Sequence, residues 1–388
     1  MNNKVVKYIL FAACILVYAC VFLCTNGKEK CNYIKRTSLF YCFGIIPVFL
    51  ILQFMYTRMA YGQSVIDFLK ASYHYFFIIL AIPIYYIFIK DNSIKILIDK
   101  LTIIVSIGLF LNIINSLLYN TTGVTFLQSA IRIRDDSLRT YSLSSILGII
   151  TVYTAWRLLH LRQIKRKYVI CFIIEIVALA YCYQSRIIEF CIFIVAIYMM
   201  VAEKKLTKKQ MAITGGIIFG IIILFCSGMI TEFFDSFKVG GQYSGSTSSR
   251  IREYQYYISG FLENKLFGLG LLATESEIGN YVIRGPLRNN YPTDVGYVGA
   301  LGNMGISFFL PFGFLVYRIC IVIRESRQIK NRDYEVKSLS VLCKSLLLYI
   351  LISGTSQIIT DPARILCVPF VISIVDWTDF LIAARRNE

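Results

Sequence analysis

Asp294-Val295-Gly296-Tyr297-Val298-Gly299-Ala300-Leu301-Gly302-Asn303-Met304-Gly305 ends the one long hydrophilic interval of the chain, which starts near Met229, and begins an apolar segment. Outside that interval the sequence is a succession of apolar runs. With 57% hydrophobic and only 16% charged residues over 388 positions, and a mean hydropathy of +0.64, the composition is that of an integral membrane protein and excludes a soluble domain of this size.

A membrane span needs roughly 20 apolar residues, and about eleven stretches qualify. They are 8–24, 39–56, 73–89, 101–119, 141–160, 168–183, 187–202, 211–230, 295–317, 338–358 and 365–383. The expected fold is therefore all-α, a single polytopic membrane domain of about eleven transmembrane helices. Residues 231–292 form one large extracytoplasmic loop containing short helices.

A net charge of +17 raises the question of nucleic acid, but the cations fall in alternate loops. Lys28, Lys30, Lys35 and Arg36 lie in one; Arg157, Arg162, Lys165, Arg166 and Lys167 in the next; further clusters follow at 203–209, 318–337 and the Arg385-Arg386 tail. Topology explains such a pattern: basic loops stay cytoplasmic. The loops 120–140, 184–186, 231–292 and 359–364 then face outward. Lys4 and Lys7 favour the opposite orientation for the N-terminus, which reads as a span and not as a cleaved leader. The cysteines sit mostly within spans without a Cys-x-x-Cys pair, and His74 and His160 are the two histidines. No metal site and no cofactor are expected.

Polar residues near or within spans are the informative ones. Leu127 to Arg139, with Arg132, Arg134 and Arg139 beside Asp135 and Asp136, reads as a short amphipathic segment at the outer interface or as a contact for an anionic headgroup. Glu175 falls mid-span, where a carboxylate stays protonated or meets a buried partner. Arg186 follows Gln184-Ser185 at a tight outer turn. Its planar guanidinium suits a phosphate, while Glu189, three residues on, is its default ion-pair partner.

In the loop, Gly240, Gly241, Gly245 and the Ser/Thr run 246–249 form a flexible approach. A helix is expected from a Ser248 or Ser249 cap to about Phe261, with Arg250, Tyr254, Tyr257 and Phe261 on one face. An arginine in the first turn opposes the helix dipole. An anion held by Arg250, Arg252 and the free amides would account for it; a solvated surface helix is the plainer alternative. The tyrosines could stack on sugar rings or serve as interfacial belt residues. Asp294, at the mouth of the next span, reads either as an N-cap or as a general base within reach of a hydroxyl. Asp361 and Arg364, in the last outer turn, pair with each other or join the same pocket.

Ser185-Arg186, then Ser249-Arg250, then Asn264-Lys265-Leu266-Phe267-Gly268-Leu269-Gly270, then the 294–305 stretch, occur in an order that resembles the O-antigen ligase and Wzy-type polysaccharide polymerase superfamily. Arg288 and Gly299 also match an arginine-to-glycine spacing reported for the polymerases. The resemblance covers about residues 184–320. Asp294 stands where the ligases carry histidine, Asn303 where the family carries glutamate, and Lys265 where the turn carries proline. The lack of an outer-loop histidine favours polymerase over ligase.

The resemblance implies inverting, metal-independent glycosyl transfer between lipid-diphosphate-linked oligosaccharides on the outer leaflet of a bacterial cell membrane. The product would be a capsule, O-antigen or exopolysaccharide. Arg186, Arg250, Arg252 and Arg288 would hold the diphosphate, Asp294 would act as base with Arg250 beside it, and Tyr254, Tyr257 and Tyr297 would contact sugar. Expected partners are the polyprenyl-diphosphate-linked oligosaccharide, membrane lipid, and a chain-length regulator and flippase of the same pathway. Nucleic acid is not one. The competing readings are an O-antigen-type ligase and a flippase, the latter predicting repeated halves and charges at mid-depth.

Overall fold

The computed structural model describes residues 40–127, 131–134, 137–140, 143–160, 165–183, 185–202, 244–329 and 333–386, together with 12–16, 19, 38 and 215. In chain order its helices are α1 (Ile46–Tyr61), α2 (Val65–Ser72), α3 (Ala81–Lys90), α4 (Lys95–Thr122), α5 (Ser144–Leu159), α6 (Arg166–Val177), α7 (Arg186–Ala202), α8 (Ser244–Glu263), α9 (Glu277–Arg284), α10 (Gly296–Met304), α11 (Phe309–Ser326), α12 (Tyr334–Ser353) and α13 (Cys367–Arg386). Strands β1 (Ile131–Arg134) and β2 (Ser137–Thr140) lie between α4 and α5.

Among the described residues, six helical rods are long and apolar enough to cross a membrane: Tyr41–Tyr61, Val65–Lys90, Lys95–Thr122, Gly296–Ser326, Tyr334–Ser353 and Cys367–Arg386. They take up six of the expected spans. The expected spans 141–160 and 187–202 correspond to α5 and α7, which are apolar but shorter. The span 168–183 corresponds to α6 and its π-helical continuation, Ala178–Tyr183. The spans 8–24 and 211–230, and the loop approach up to residue 243, lie almost entirely outside the described residues.

Local chemistry sets the ends of the rods. α1 stops at Gly62, whose φ of 67° lets its N–H return to the Arg58 carbonyl. The second rod starts at Val65, eight residues before the expected 73. Ser64 caps it by accepting from the Asp67 amide at 3.1 Å and donating to the Asp67 carboxylate at 2.7 Å, which satisfies an otherwise orphaned first-turn donor. The 131–140 segment is an antiparallel pair with Arg132 opposite Arg139, a local exception to the all-α expectation. Ile131-Arg132-Ile133-Arg134 alternates with period two and carries β-branched residues, which is strand patterning.

The chain forms two compact units, one of Met1–Asn92, Ser236–Gln328 and Ser353–Glu388, the other of Ser93–Asp235 and Ile329–Ile352. In the second unit Arg157 donates to both Asp99 oxygens, at 3.1 and 2.8 Å. Tyr153 donates to the same carboxylate at 2.8 Å and Tyr168 is also bonded to it. Glu175, fully buried, receives the Ser106 and Thr154 hydroxyls at 3.3 and 3.1 Å. Its buried partners are hydroxyls.

In the first unit the central feature is a break in the Gly296–Ser326 rod. Gly305 has φ 61° and ψ −156°, a region open essentially to glycine alone. The turn 265–270 lies along the break and forms four backbone hydrogen bonds to it: Leu269 N–H to Gly302 O, Gly270 N–H to Asn303 O, Ile306 N–H to Lys265 O and Ser307 N–H to Leu266 O, all between 2.7 and 3.0 Å. The amides and carbonyls freed by the broken helix are satisfied by the turn, which is the condition for irregular backbone in such a protein.

Gln53 of α1, 0% exposed, closes this clasp. Its Nε2 donates to Met304 O at 3.1 Å and Ser307 Oγ at 2.7 Å, and its Oε1 accepts from Leu271 N–H at 3.0 Å. Tyr56 stacks on Phe267 with centroids 4.9 Å apart and donates to Gly268 O at 3.1 Å. Farther along the same unit Arg318 of α11 bridges Asp376 and Asp379 of α13, at 3.4 and 2.6 Å.

Candidate functional site

The clasp fixes α8 against α10. Gly302 permits this approach, since a Cβ there would lie 2.4 Å from Tyr257 Cβ. The buried face of α8 is Glu253, Tyr257 and Gly260, spaced by four and three as a helix requires. It is turned from the expected face of Arg250, Tyr254, Tyr257 and Phe261 towards Glu253 and Gly260. The helix also starts at Ser244, so Ser248 and Ser249 are not its caps. Arg250 sits beyond the first turn, and an anion shared between Arg250 and the first-turn amides is not what this helix offers.

Glu253 is 4% exposed and was not among the residues picked out from the sequence. Its Oε1 accepts from Tyr291 N–H at 3.2 Å, which pins the chain leading into the short turn Pro292–Asp294. Burial pushes its carboxyl up, and the Asp294 carboxylate adds to the shift, against the Tyr291 N–H and the charges of Arg252 and Arg250. These residues therefore sense one another: Arg250, Arg252 and Asp294 all lie within electrostatic range of Glu253. Arg250 is exposed, and Arg252 donates to Asn290 Oδ1 at 3.3 Å.

Asp294 is exposed and accepts from the Thr293 hydroxyl at 3.4 Å. The N-cap position of α10 belongs to Val295, with no side-chain cap, so the capping role considered for Asp294 is not seen. Gly296, with φ 52°, then presses on the Ser353–Cys367 turn, where a Cβ would lie 2.2 Å from Gly354 O. Tyr297 N–H donates to Gly354 O at 2.9 Å. This turn carries Asp361 and Arg364.

Asp361 keeps part of its surface in solvent but is packed round by protein atoms. That burial raises its carboxyl from 3.8 to about 7, with Arg364 opposing the shift and Asp294 adding to it. Asp361 and Arg364 form no ion pair, although each lies within reach of the other's field. Asp294 thus lies within electrostatic range of both Glu253, which Arg250 and Arg252 also reach, and Asp361, which Arg364 also reaches. Among the described residues no group of acids, histidines or cysteines is spaced to hold a metal ion.

The other expected residues separate by environment. Tyr257 is 0% exposed and donates to Ile283 O at 3.0 Å. Its ring has no open face for a sugar, which corrects that expectation: the side chain is a packing element between α8, α9 and Gly302. Tyr254 and Tyr297 are half-buried, Tyr297 packing edge-on to Phe312 at 5.5 Å. Arg288, in a left-handed turn with φ 54°, is exposed and lies 3.9 Å from the exposed Glu277. Arg186 opens α7 in the other unit, and its side chain is outside the description.

Little in the sequence marks Glu253, one acid in a polar helix; the pointer was the four-and-three spacing to Tyr257 and Gly260. No protein-family model matches the chain, and no curated protein sequence does either, so the motifs of residues 184–320 alone carry the family resemblance.

Proposed function

We propose that the protein is a multi-pass glycosyltransferase of the bacterial cell membrane that polymerises lipid-diphosphate-linked oligosaccharide repeat units on the outer leaflet. The observation that carries this reading is that Arg250, Arg252 and Asp294 all lie within electrostatic range of the buried Glu253, which pins Tyr291 just before the Gly296–Ser326 rod. An acceptor sugar hydroxyl gives its proton to Asp294 while its oxygen attacks C1 of the donor sugar. The C1–oxygen bond to the diphosphate breaks with inversion, and the electron pair leaves on the polyprenyl diphosphate. Arginines stabilise that charge, and the base contributes roughly 100- to 10,000-fold.

The test is mass spectrometry of lipid-linked saccharides and surface polymer in a deletion strain carrying wild type, Arg250→Ala or Asp294→Ala. Single lipid-linked repeats accumulating outside, with polymer restored by wild type alone, is the expected result. Finished polymer retained on its lipid carrier would indicate a ligase, and repeats trapped on the cytoplasmic leaflet a flippase.

A further inference from the structure

The Ser353–Cys367 turn carries two polar side chains that the fold does not use. Arg364 is half-buried, and its Nη1 is sealed from solvent with no hydrogen-bond partner among the described residues. Gln357, seven residues earlier in the same turn, has Oε1 in the same condition. The backbone around them is ordered by its own bonds, Gln357 N–H to Ser353 O at 2.8 Å and Arg364 N–H to Asp361 O at 2.8 Å. A guanidinium is always charged, planar and rich in donors, whereas the unpaired Gln357 oxygen is an acceptor and offers an anion nothing. The planar fork of Arg364 matches the oxygens of a phosphate.

We infer that Arg364 binds a phosphate or diphosphate group at the mouth of the Gly296–Ser326 rod. The turn reaches that mouth through Gly354, which accepts from Tyr297 N–H at 2.9 Å, three residues from Asp294. Asp361, the nearest acid in the turn, leaves Arg364 without an ion pair, and its carboxyl is raised to about 7, so it offers the guanidinium incomplete neutralisation at neutral pH. Anion binding by Arg364 stands on this geometry. That the anion is the diphosphate of a lipid-linked sugar rests on the proposed function.

The test uses the full-length protein in phosphatidylcholine nanodiscs, titrated calorimetrically with inorganic diphosphate. Arg364→Gln is expected to weaken binding at least tenfold, Arg364→Lys to weaken it several-fold through loss of the planar fork, and Arg327→Gln to leave it unchanged. Should Arg364→Gln fail to fold, as judged by circular dichroism and gel filtration, Arg364→Lys carries the test. Equal affinity in wild type and the folded Arg364 variant would overturn the inference. Absence of diphosphate binding, together with retention of phosphatidylglycerol by wild type but not by the variant in native mass spectrometry, would assign the site to a lipid phosphate. Absence of both would overturn it. Loss of diphosphate binding in Arg364→Gln alongside undiminished polymer in cells would keep the anion site and detach it from polymerisation. A chain that binds diphosphate through Arg364 but makes no polymer would refute the proposed function alone.

Discussion

Replacing Gln53 by Leu removes the side chain that ties α1 to the broken rod and to the turn before Leu271, while nearly preserving its volume. Three hydrogen bonds disappear, to Met304 O, Ser307 Oγ and from Leu271 N–H. They are not equivalent. Met304 O keeps the Ser307 hydroxyl at 2.6 Å, so the bonds to Met304 and Ser307 are worth about 1 kcal/mol each. Leu271 N–H is left buried without an acceptor, which costs about 1–3 kcal/mol. The sum is about 3–5 kcal/mol, a large part of the stability of an ordinary domain. Gln53→Glu is the sharper control: it keeps an acceptor for Leu271 N–H, loses both donations and buries a charge. Thermal unfolding of the purified protein, followed by circular dichroism, reads the loss as a lowered midpoint in both variants. If Gln53→Leu unfolds within about 0.5 kcal/mol of wild type, the clasp is not holding the rod and the account of its break is wrong.

The break itself predicts that Gly305→Ala costs more than about 3 kcal/mol, from a conformation closed to L-residues and a Cβ 2.4 Å from the Leu266 carbonyl carbon; the thermal midpoint checks it. Arg318→Met leaves Asp376, 1% exposed on its side chain, without its cation, and should destabilise by about 3–5 kcal/mol. Adding Asp376→Asn should recover part of that loss in the same denaturation assay. Asp361 is protonated more readily in the folded than in the unfolded chain, about 7 against 3.8. Its contribution to stability is therefore full below about pH 4 and falls as pH rises to about 7. At about 1.4 kcal/mol per tenfold in proton affinity, the loss is at most about 4 kcal/mol, less for the part of the carboxyl that meets solvent. Asp361→Asn should flatten the pH dependence of the thermal midpoint between pH 4 and 7 and leave the variant the more stable protein at pH 8; an unchanged slope would refute the assignment.

What the sequence made legible follows from where its signals are local. Apolar runs are local, and six of the expected spans correspond to rods long enough to cross a membrane. Hydropathy alone starts the second rod too late because Asp67 and Lys70 depress it over the first turns. The Ser64-to-Asp67 cap was the cue that outweighs them. The strand pair at 131–140 was visible in the Ile-Arg alternation, but amphipathic patterning near a membrane suggested an interfacial segment first. Gln53 was not legible at all. One glutamine in an apolar run gives no sign of a partner 218 positions away.

The glycine-rich turn shows why motif and chemistry have to be kept apart. Gly268, part of a functional signature in the sequence, lies where backbone must touch backbone: a Cβ there would stand 2.3 Å from Gly302 O, while one on Gly270 would meet the Thr57 and Tyr56 side chains of α1. Gly305 meets the same requirement from the other side, against Leu266 and Phe267, and Gly302 meets it against Tyr257 of α8. Gly268 and Gly305, in two separated segments, thus describe one object, a turn docked into a broken helix, and their spacing is a constraint on packing before it is one on catalysis. The charged residues are placed by that packing. Glu253 is buried because Tyr257 and Gly260 must face Gly302 and Leu269. Once buried it holds Tyr291, three residues before Asp294. The same clasp orients the helix mouth that receives Gly354, whose turn presents Arg364. A substitution in the clasp should consequently disturb acid and arginines together, whereas Asp294→Ala or Arg364→Gln should leave the thermal midpoint near wild type and alter only what the site does.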